Sequence, residues 1–278
     1  MTAASWRCVH GIDPAALRPA RIQAHHATQW LARAARAYIP ALPHDAHTNL
    51  GWEDALGALV THPFPDGARL GLRIADLTLV LLDSSGHKGS FALDGRCDAD
   101  AREWLGQHAR ARGFDPQALD AELPYPLPAP AIAGGGATTA GALAEPLREL
   151  AIWFSNAHGA LAAARQWLAT RKIDAAPVRC WPHHFDLATL VTLAPGRTSG
   201  IGFEPGDDYY DEPYFYVSLY PAPDPASLPP PPGIAHWHTK DFTAAIARAH
   251  RLVAAKDQGA AVAAFLQAAV EAAITALR

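Results

Sequence analysis

The hydrophobic positions in the second half of the chain follow two clear periods. Five apolar residues lie on one face of a helix predicted at 143–170: Leu147, Leu150, Phe154, Leu161 and Leu168. Their spacing is that of a helix with one buried stripe. A half-buried strand is predicted from the residues at alternate positions after it, which are Phe185, Leu187, Thr189, Val191 and Leu193. Two more strands are predicted at 198–204 and 214–220, and the short turns between these three strands require antiparallel neighbours.

The remaining segments predict a mixture of helices and strands. In the first half, a helix is predicted at 25–38, alternating strands at 70–74 and 77–81, and a capped helix at 98–112. A helix at 241–255 is predicted from Phe242, Ile246, Ala249 and Val253. The last helix carries an apolar residue at every fourth position: Val262, Leu266, Val270 and Ile274. Together the elements predict an α+β fold.

A segment rich in proline and glycine divides the chain. Residues 132–142 are mostly glycine, alanine and threonine and follow a proline-spaced run, a composition typical of a linker or long loop. We therefore predict an N-terminal α+β lobe at 1–131 and a C-terminal lobe at 143–278. The C-terminal lobe is expected to be an antiparallel β-meander packed with helices. A helix followed by proline, histidine and acidic residues occurs in both halves, which suggests a duplication.

Composition and charge limit the partners. Half of the residues are hydrophobic and the net charge is −4, without a basic run, so a nucleic-acid partner is not expected. The first residues do not have the pattern of a signal peptide, and we expect a cytoplasmic protein. Gln267 and Glu271 interrupt the last apolar helix, so no membrane span is expected. A small-molecule ligand is compatible with this composition, and the oligomeric state stays open.

Histidines near two strands are candidate metal ligands. His236 and His238 are two residues apart, so on an extended strand both point to the same face. Two imidazoles on one face are a common beginning of a metal site, and His184 or Asp186 is a candidate third ligand for an ion such as Zn²⁺. Asp186 and His183 are also candidate catalytic residues. Metal-bound water would then act as a nucleophile near neutral pH.

Acidic and aromatic residues near these histidines are candidate ligand-binding groups: Asp207, Asp208, Tyr214, Trp181 and Trp237. Asp207 and Asp208 have a second interpretation, because surface turns are rich in aspartate for local hydrogen bonding. Three hypotheses stay open for the histidines: a metal centre, a metal-free polar ligand pocket, and a structural network. The predicted function is a metal-dependent small-molecule hydrolase or ligand-binding protein. The alternative is a non-catalytic interaction module with a structural cluster.

Several motifs resemble those of a bacterial family known only as a domain of unknown function. The resemblance rests on residues 178–186 (VRCWPHHFD), 210–216 (YDEPYFY) and 236–239 (HWHT). It is strongest over residues 178–242. The resemblance implies no established activity, cofactor or catalytic residue, so the chemistry of these positions must be argued from the residues themselves.

Overall fold

The computed structural model describes residues 6–9, 12–84, 86–126 and 134–277. The helices are α1 (Arg18–Tyr38), α2 (Asp98–Ala111), α3 (Ala144–Thr170), α4 (Ala249–Val253) and α5 (Gln258–Ala276). The strands are β1 (Gly51–Glu53), β2 (Ala58–Val60), β3 (Arg69–Arg73), β4 (Thr78–Asp83), β5 (Gly86–Ala92), β6 (Arg179–Trp181), β7 (Asp186–Ala194), β8 (Arg197–Glu204), β9 (Tyr214–Ser218), β10 (His236–His238) and β11 (Ala244–Arg248). The mixture of helices with antiparallel sheets confirms the predicted α+β class.

The chain forms two compact units. The first unit comprises Met1–Ala16, Ile152–Arg179 and Asp186–Arg278. The second unit comprises Leu17–Ala151 and Cys180–Phe185. The division into lobes at 1–131 and 143–278, with a linker or long loop at 132–142, stays a prediction. Residues 132 and 133 of the predicted linker lie outside the described residues, whereas the backbone of Thr138 is hydrogen-bonded to Gly95 and Arg96.

The second unit is built on a five-stranded antiparallel sheet in the order β1-β2-β3-β4-β5. Helix α1 contacts β3, and its buried face consists mainly of alanines, which let a helix approach a sheet closely. Strands at 70–74 and 77–81 were predicted, and the structure has them at β3 and β4 with boundaries shifted by one or two residues. The helix predicted at 25–38 begins earlier, at Arg18.

The first unit contains the predicted meander. Strands β7, β8 and β9 are antiparallel neighbours in a six-stranded sheet with the order β10-β11-β9-β8-β7-β6. Helix α5 packs against β8, β9 and β11 through a face that includes Val262, Leu266 and Val270. Burial of this stripe explains why apolar residues recur at every fourth position of α5.

The helix predicted at 241–255 was wrong. Residues 244–248 form strand β11, which lies between β10 and β9, and only 249–253 are helical. The residues Ala244 to Ala247 are fully buried. A strand inside a sheet that is covered on both faces has a continuous apolar run rather than alternation, so periodicity alone does not distinguish it from a buried helix.

Helix α5 has the length and composition that could cross a membrane, and it is the one such helix among the described residues. In the structure, Phe265, Leu266 and Ala269 of α5 are buried in the first unit. A core helix of this kind passes the same test of length and hydropathy as a membrane span.

Candidate functional site

The strand register of the first unit gathers polar side chains on one face of its sheet. His236 lies opposite Ile246, and Ile246 lies opposite Tyr216 on the other side. Directly opposed residues project to the same face, and so do residues two apart on one strand. His238 and Arg248 therefore share this face with His236. The buried core of the face is made by Tyr214, Ala244 and Ile246.

His236 and His238 both bind the hydroxyl of Tyr210. The Tyr210 oxygen lies 2.8 Å from Nε2 of His236 and 2.9 Å from Nδ1 of His238. The other ring nitrogen of His238, Nε2, lies 2.6 Å from the carbonyl oxygen of Lys240. The prediction that the two imidazoles share a face is confirmed. Both rings contact the phenol of Tyr210, which lies in the turn before β9.

Glu212 connects three groups at the end of β11. Its side chain is 7% exposed, and it accepts hydrogen bonds from the Nδ1 and the backbone N–H of His250 at 2.8 Å each. Arg248 forms an ion pair with the same carboxylate at 2.5 Å. A carboxylate that binds Nδ1 fixes the orientation of an imidazole and leaves Nε2 for other partners. Within the described residues, Nε2 of His250 makes no hydrogen bond.

A cavity of about 550 Å³ opens beside these groups. It is lined by Gly233, Ile234, Ala235, His236, Arg248, His250 and Arg251. This volume is within the range of small-molecule sites. Two guanidinium groups and two imidazoles therefore border one cavity, and in the part of the chain that the structure describes, Glu212 is the one carboxylate that pairs with any of them, through Arg248 and His250.

The surroundings set the protonation of the central groups. Burial lowers the pKa of His236, and the positive charge of Arg248 lowers it further, so the imidazole is neutral at neutral pH. Burial raises the pKa of Tyr210, and Asp207 contributes to the increase while Arg248 opposes it. The Tyr210 hydroxyl keeps its proton and remains able to donate. The Arg248 guanidinium lies 5.1 Å from the centre of the Tyr210 ring, within the range of a cation–π contact.

Asp207 and Tyr214, two of the predicted ligand-binding residues, bind each other. The Tyr214 hydroxyl donates to Asp207 at 2.7 Å, and the same carboxylate accepts the backbone N–H groups of Tyr209 and Tyr210 at 2.8 Å each. Asp207 thus organises the turn that carries Tyr210. Asp208 is exposed in that turn.

Two further predicted residues of the first unit have internal partners. Trp237 projects to the opposite face of its strand from His236, and its indole N–H donates to the carbonyl oxygen of Pro229 at 2.7 Å. Asp186 is buried at the start of β7 and accepts a hydrogen bond of 2.6 Å from the Tyr216 hydroxyl. Neither residue lines the cavity.

The stretch 180–185 forms a turn of the second unit. The backbone N–H of His184 and that of Phe185 both donate to the Trp181 carbonyl, at 3.0 and 2.7 Å. His183 and His184 are exposed, and their ring centres are 4.3 Å apart. Trp181 makes an edge contact with His183 at 6.1 Å.

Pro182 provides the main polar contact of this turn. Its carbonyl oxygen accepts hydrogen bonds from His25 Nε2 and Gln29 Nε2, both at 2.8 Å. The His25 ring also stacks on Phe185 with ring centres 5.2 Å apart. Burial lowers the pKa of His25 to about 4, against the Pro182 bond, which raises it. A neutral imidazole therefore holds this turn.

The metal hypothesis has no supporting cluster in residues 6–9, 12–84, 86–126 and 134–277. No group of three or more His, Cys, Asp or Glu side chains there could hold a metal ion. His184 is exposed in its turn, and His236 and His238 are engaged with Tyr210. The proposed ligand set for Zn²⁺ therefore has no geometry to support it.

Sequence reasoning missed Arg248, His250 and Arg251. The helix predicted at 241–255 was argued from its apolar residues alone, whereas the structure has Arg248 at the end of a buried strand. The continuous apolar run Ala244–Ala247 was the signal that could have found them. A buried central strand followed by Arg-Ala-His-Arg places basic side chains at the end of that strand.

The comparisons with known proteins give one match. Residues 194–278 are similar to a family described as "Family of unknown function (DUF5996)". The expected resemblance to such a family is confirmed over this range, which is less than half of the chain. No curated protein and no solved structure matches. The matched range contains Tyr210, Glu212 and every residue that lines the cavity.

Proposed function

We propose that the protein binds a small oxyanion, a phosphate or a carboxylate, in the cavity of the first unit. The observation that carries this proposal is the charge around the cavity. Arg248 and Arg251 border it, and among the described residues Glu212 is the one carboxylate that pairs with Arg248. Arg251 is exposed and has no ion pair within the described residues. Two guanidinium charges against one carboxylate leave a positive site, and arginine favours oxyanions because its N–H groups form a planar fork.

Two contacts prepare Arg248 for a ligand. Glu212 and the ring of Tyr210 hold the guanidinium on two sides, which reduces the entropy lost when an anion binds. Its Nε is buried and has no hydrogen-bond partner among the described residues. Since this Nε is not accessible, a ligand in the cavity would bind the terminal N–H groups of Arg248, which lines it.

The Glu212–His250 pair adds proton transfer to this proposal. A carboxylate that holds Nδ1 of an imidazole is the arrangement that general acid–base catalysis uses, and the free Nε2 belongs to a residue that lines the cavity. We therefore propose that an enzyme acting on this ligand would use His250 as its acid or base. The structural alternative is favoured for His238, because both of its ring nitrogens have internal partners.

Titration calorimetry with inorganic phosphate tests the binding proposal. Wild type is expected to bind one phosphate, and Arg251→Ala to bind it about tenfold more weakly, because a charge-assisted hydrogen bond is lost. Arg110→Ala is the matched control, since Arg110 is an exposed arginine on α2 of the second unit. Absence of saturable binding, or equal affinity in wild type and Arg251→Ala, would contradict the proposal.

A further inference from the structure

The hydrogen bonds from His236 to Lys240 form a chain with a fixed direction. A carbonyl oxygen only accepts, so Nε2 of His238 carries a proton and donates to Lys240. In neutral His238 the other nitrogen, Nδ1, is then bare and accepts the Tyr210 hydroxyl proton. The Tyr210 oxygen has no second proton, so it accepts from Nε2–H of His236. Each step determines the next.

The chain leaves Nδ1 of His236 without a proton. A neutral imidazole carries one proton, and in His236 that proton is on Nε2. Nδ1 makes no hydrogen bond within the described residues. His236 lines the cavity and Tyr210 does not. Nδ1 is therefore the nitrogen of His236 that remains for a ligand, and it can only accept.

We propose that His238, acting through Tyr210, makes His236 a hydrogen-bond acceptor that selects oxyanions carrying a proton on or next to the anionic group. This inference rests on the proposed oxyanion site and names its ligand class. Arg248 and Arg251 attract any oxyanion. Nδ1 of His236 then distinguishes a ligand with a donor from one that has only lone pairs. Hydrogen phosphate and α-hydroxycarboxylates belong to the favoured class.

The selection has a physical basis in unmatched lone pairs. A ligand O–H can donate to the bare Nδ1, whereas an unprotonated oxygen in the same place puts a lone pair against a lone pair. Sites built around a hydrogen bond reject analogues that lack the partner, because the buried polar group is left unpaired. Tyr210 and His238 are positioning residues here, since they determine the tautomer and His236 provides the contact.

Hydrogen phosphate and sulfate are matched probes for this inference. Near pH 8 both are tetrahedral dianions, and only hydrogen phosphate has a proton to donate. By calorimetry we expect wild type to prefer hydrogen phosphate by about tenfold, the range of one hydrogen bond lost with its partner left unpaired. Tyr210→Phe should reduce the preference to less than about threefold, because the His236 tautomer is no longer fixed. Tyr209→Phe removes a hydroxyl bound to exposed Asp241 and should keep it.

The His236 tautomer is measured directly in wild type, which does not depend on the folding of a variant. Nitrogen–proton correlation spectra of the histidine rings should show the proton of neutral His236 on Nε2. A proton on Nδ1 would overturn the inference, as would equal affinity for the two anions or a full preference in Tyr210→Phe. Equal affinity would leave the oxyanion site intact. Failure of both anions to bind would remove the oxyanion site and the inference together.

Discussion

The two histidine-rich stretches of this chain differ in what their polar groups bind. At 180–186, the Pro182 carbonyl accepts hydrogen bonds from His25 and Gln29. His183 and His184 are exposed. Around β10 and β11, His236 and His250 keep one ring nitrogen each without a partner in the described chain. Both of these residues line a cavity. The first stretch holds a turn, whereas the second leaves hydrogen-bonding capacity for a ligand.

The difference teaches which histidine clusters deserve a functional hypothesis. Both stretches are rich in histidine, so the density of histidine does not show which of them binds a ligand. The two stretches differ in whether a charged side chain binds one ring nitrogen and orients the imidazole, as Glu212 does for His250. The histidine that binds the 180–186 stretch, His25, has an uncharged partner there, the backbone carbonyl of Pro182.

The largest expected effect is at Glu212. Glu212→Gln should lower the free energy of unfolding by about 3 kcal/mol, because a buried carboxylate that forms an ion pair with Arg248 and accepts two hydrogen bonds from His250 becomes neutral. Urea unfolding measures the change. Asp208→Asn is the control, since it neutralises an exposed carboxylate of the same turn, and it should change stability by less than about 0.5 kcal/mol. Equal stability of the two variants would show that Glu212 does not organise the site.

The second effect is a pH dependence of stability that arises from His25, which binds the 180–186 stretch. Folding lowers the pKa of His25 from 6.5 to about 4, so the unfolded chain binds more protons between these values. Its contribution to stability is complete above pH 6.5 and is lost as the pH falls towards 4. Over that pH window, the free energy of unfolding of wild type should fall by about 2 kcal/mol more than that of His25→Gln, because the glutamine amide can donate a hydrogen bond but does not titrate.

Urea unfolding at several pH values gives this difference. His87→Gln removes an exposed imidazole from β5 of the same unit and should keep the wild-type slope. A wild-type slope in His25→Gln would mean that His25 is not held neutral by the fold.

The smallest effect compares the two stretches directly. His183→Ala/His184→Ala should change phosphate affinity by less than about twofold and stability by less than about 0.5 kcal/mol, because both side chains are exposed. The matched change His236→Ala/His250→Ala removes two imidazoles from the cavity and should weaken phosphate about tenfold. Calorimetry measures both. A larger loss in the first double variant would reverse the assignment of the site.

Much of the fold was predictable because its signals are local. Helix α3, the strands β7 to β9 and the common face of His236 and His238 follow from spacing of three to four or two residues. The site depends on distant pairs. Tyr210 is 26 residues before His236, and Glu212 is 38 residues before His250. No periodicity connects such positions.

The other residues of the proposed site were not found from the sequence because strand β11 was predicted as a helix. Alanine-rich β11 has the composition of a helix, and its burial between β9 and β10 determines its conformation. With residues 241–255 predicted as a helix from its apolar positions, Arg248 and His250 received no role. The metal hypothesis paired His236 with His238, and the structure has both rings bound to the Tyr210 hydroxyl, which the sequence did not indicate.

The most direct test of the central claim is a titration of histidine-labelled wild-type protein with inorganic phosphate, followed by nuclear magnetic resonance of the imidazole nitrogens. We predict that the His236 and His250 signals shift together and saturate with one dissociation constant, while His183 and His184 do not move. Shifts at His183 and His184, or no saturable shift at His236 and His250, would contradict the assignment of the cavity as the functional site.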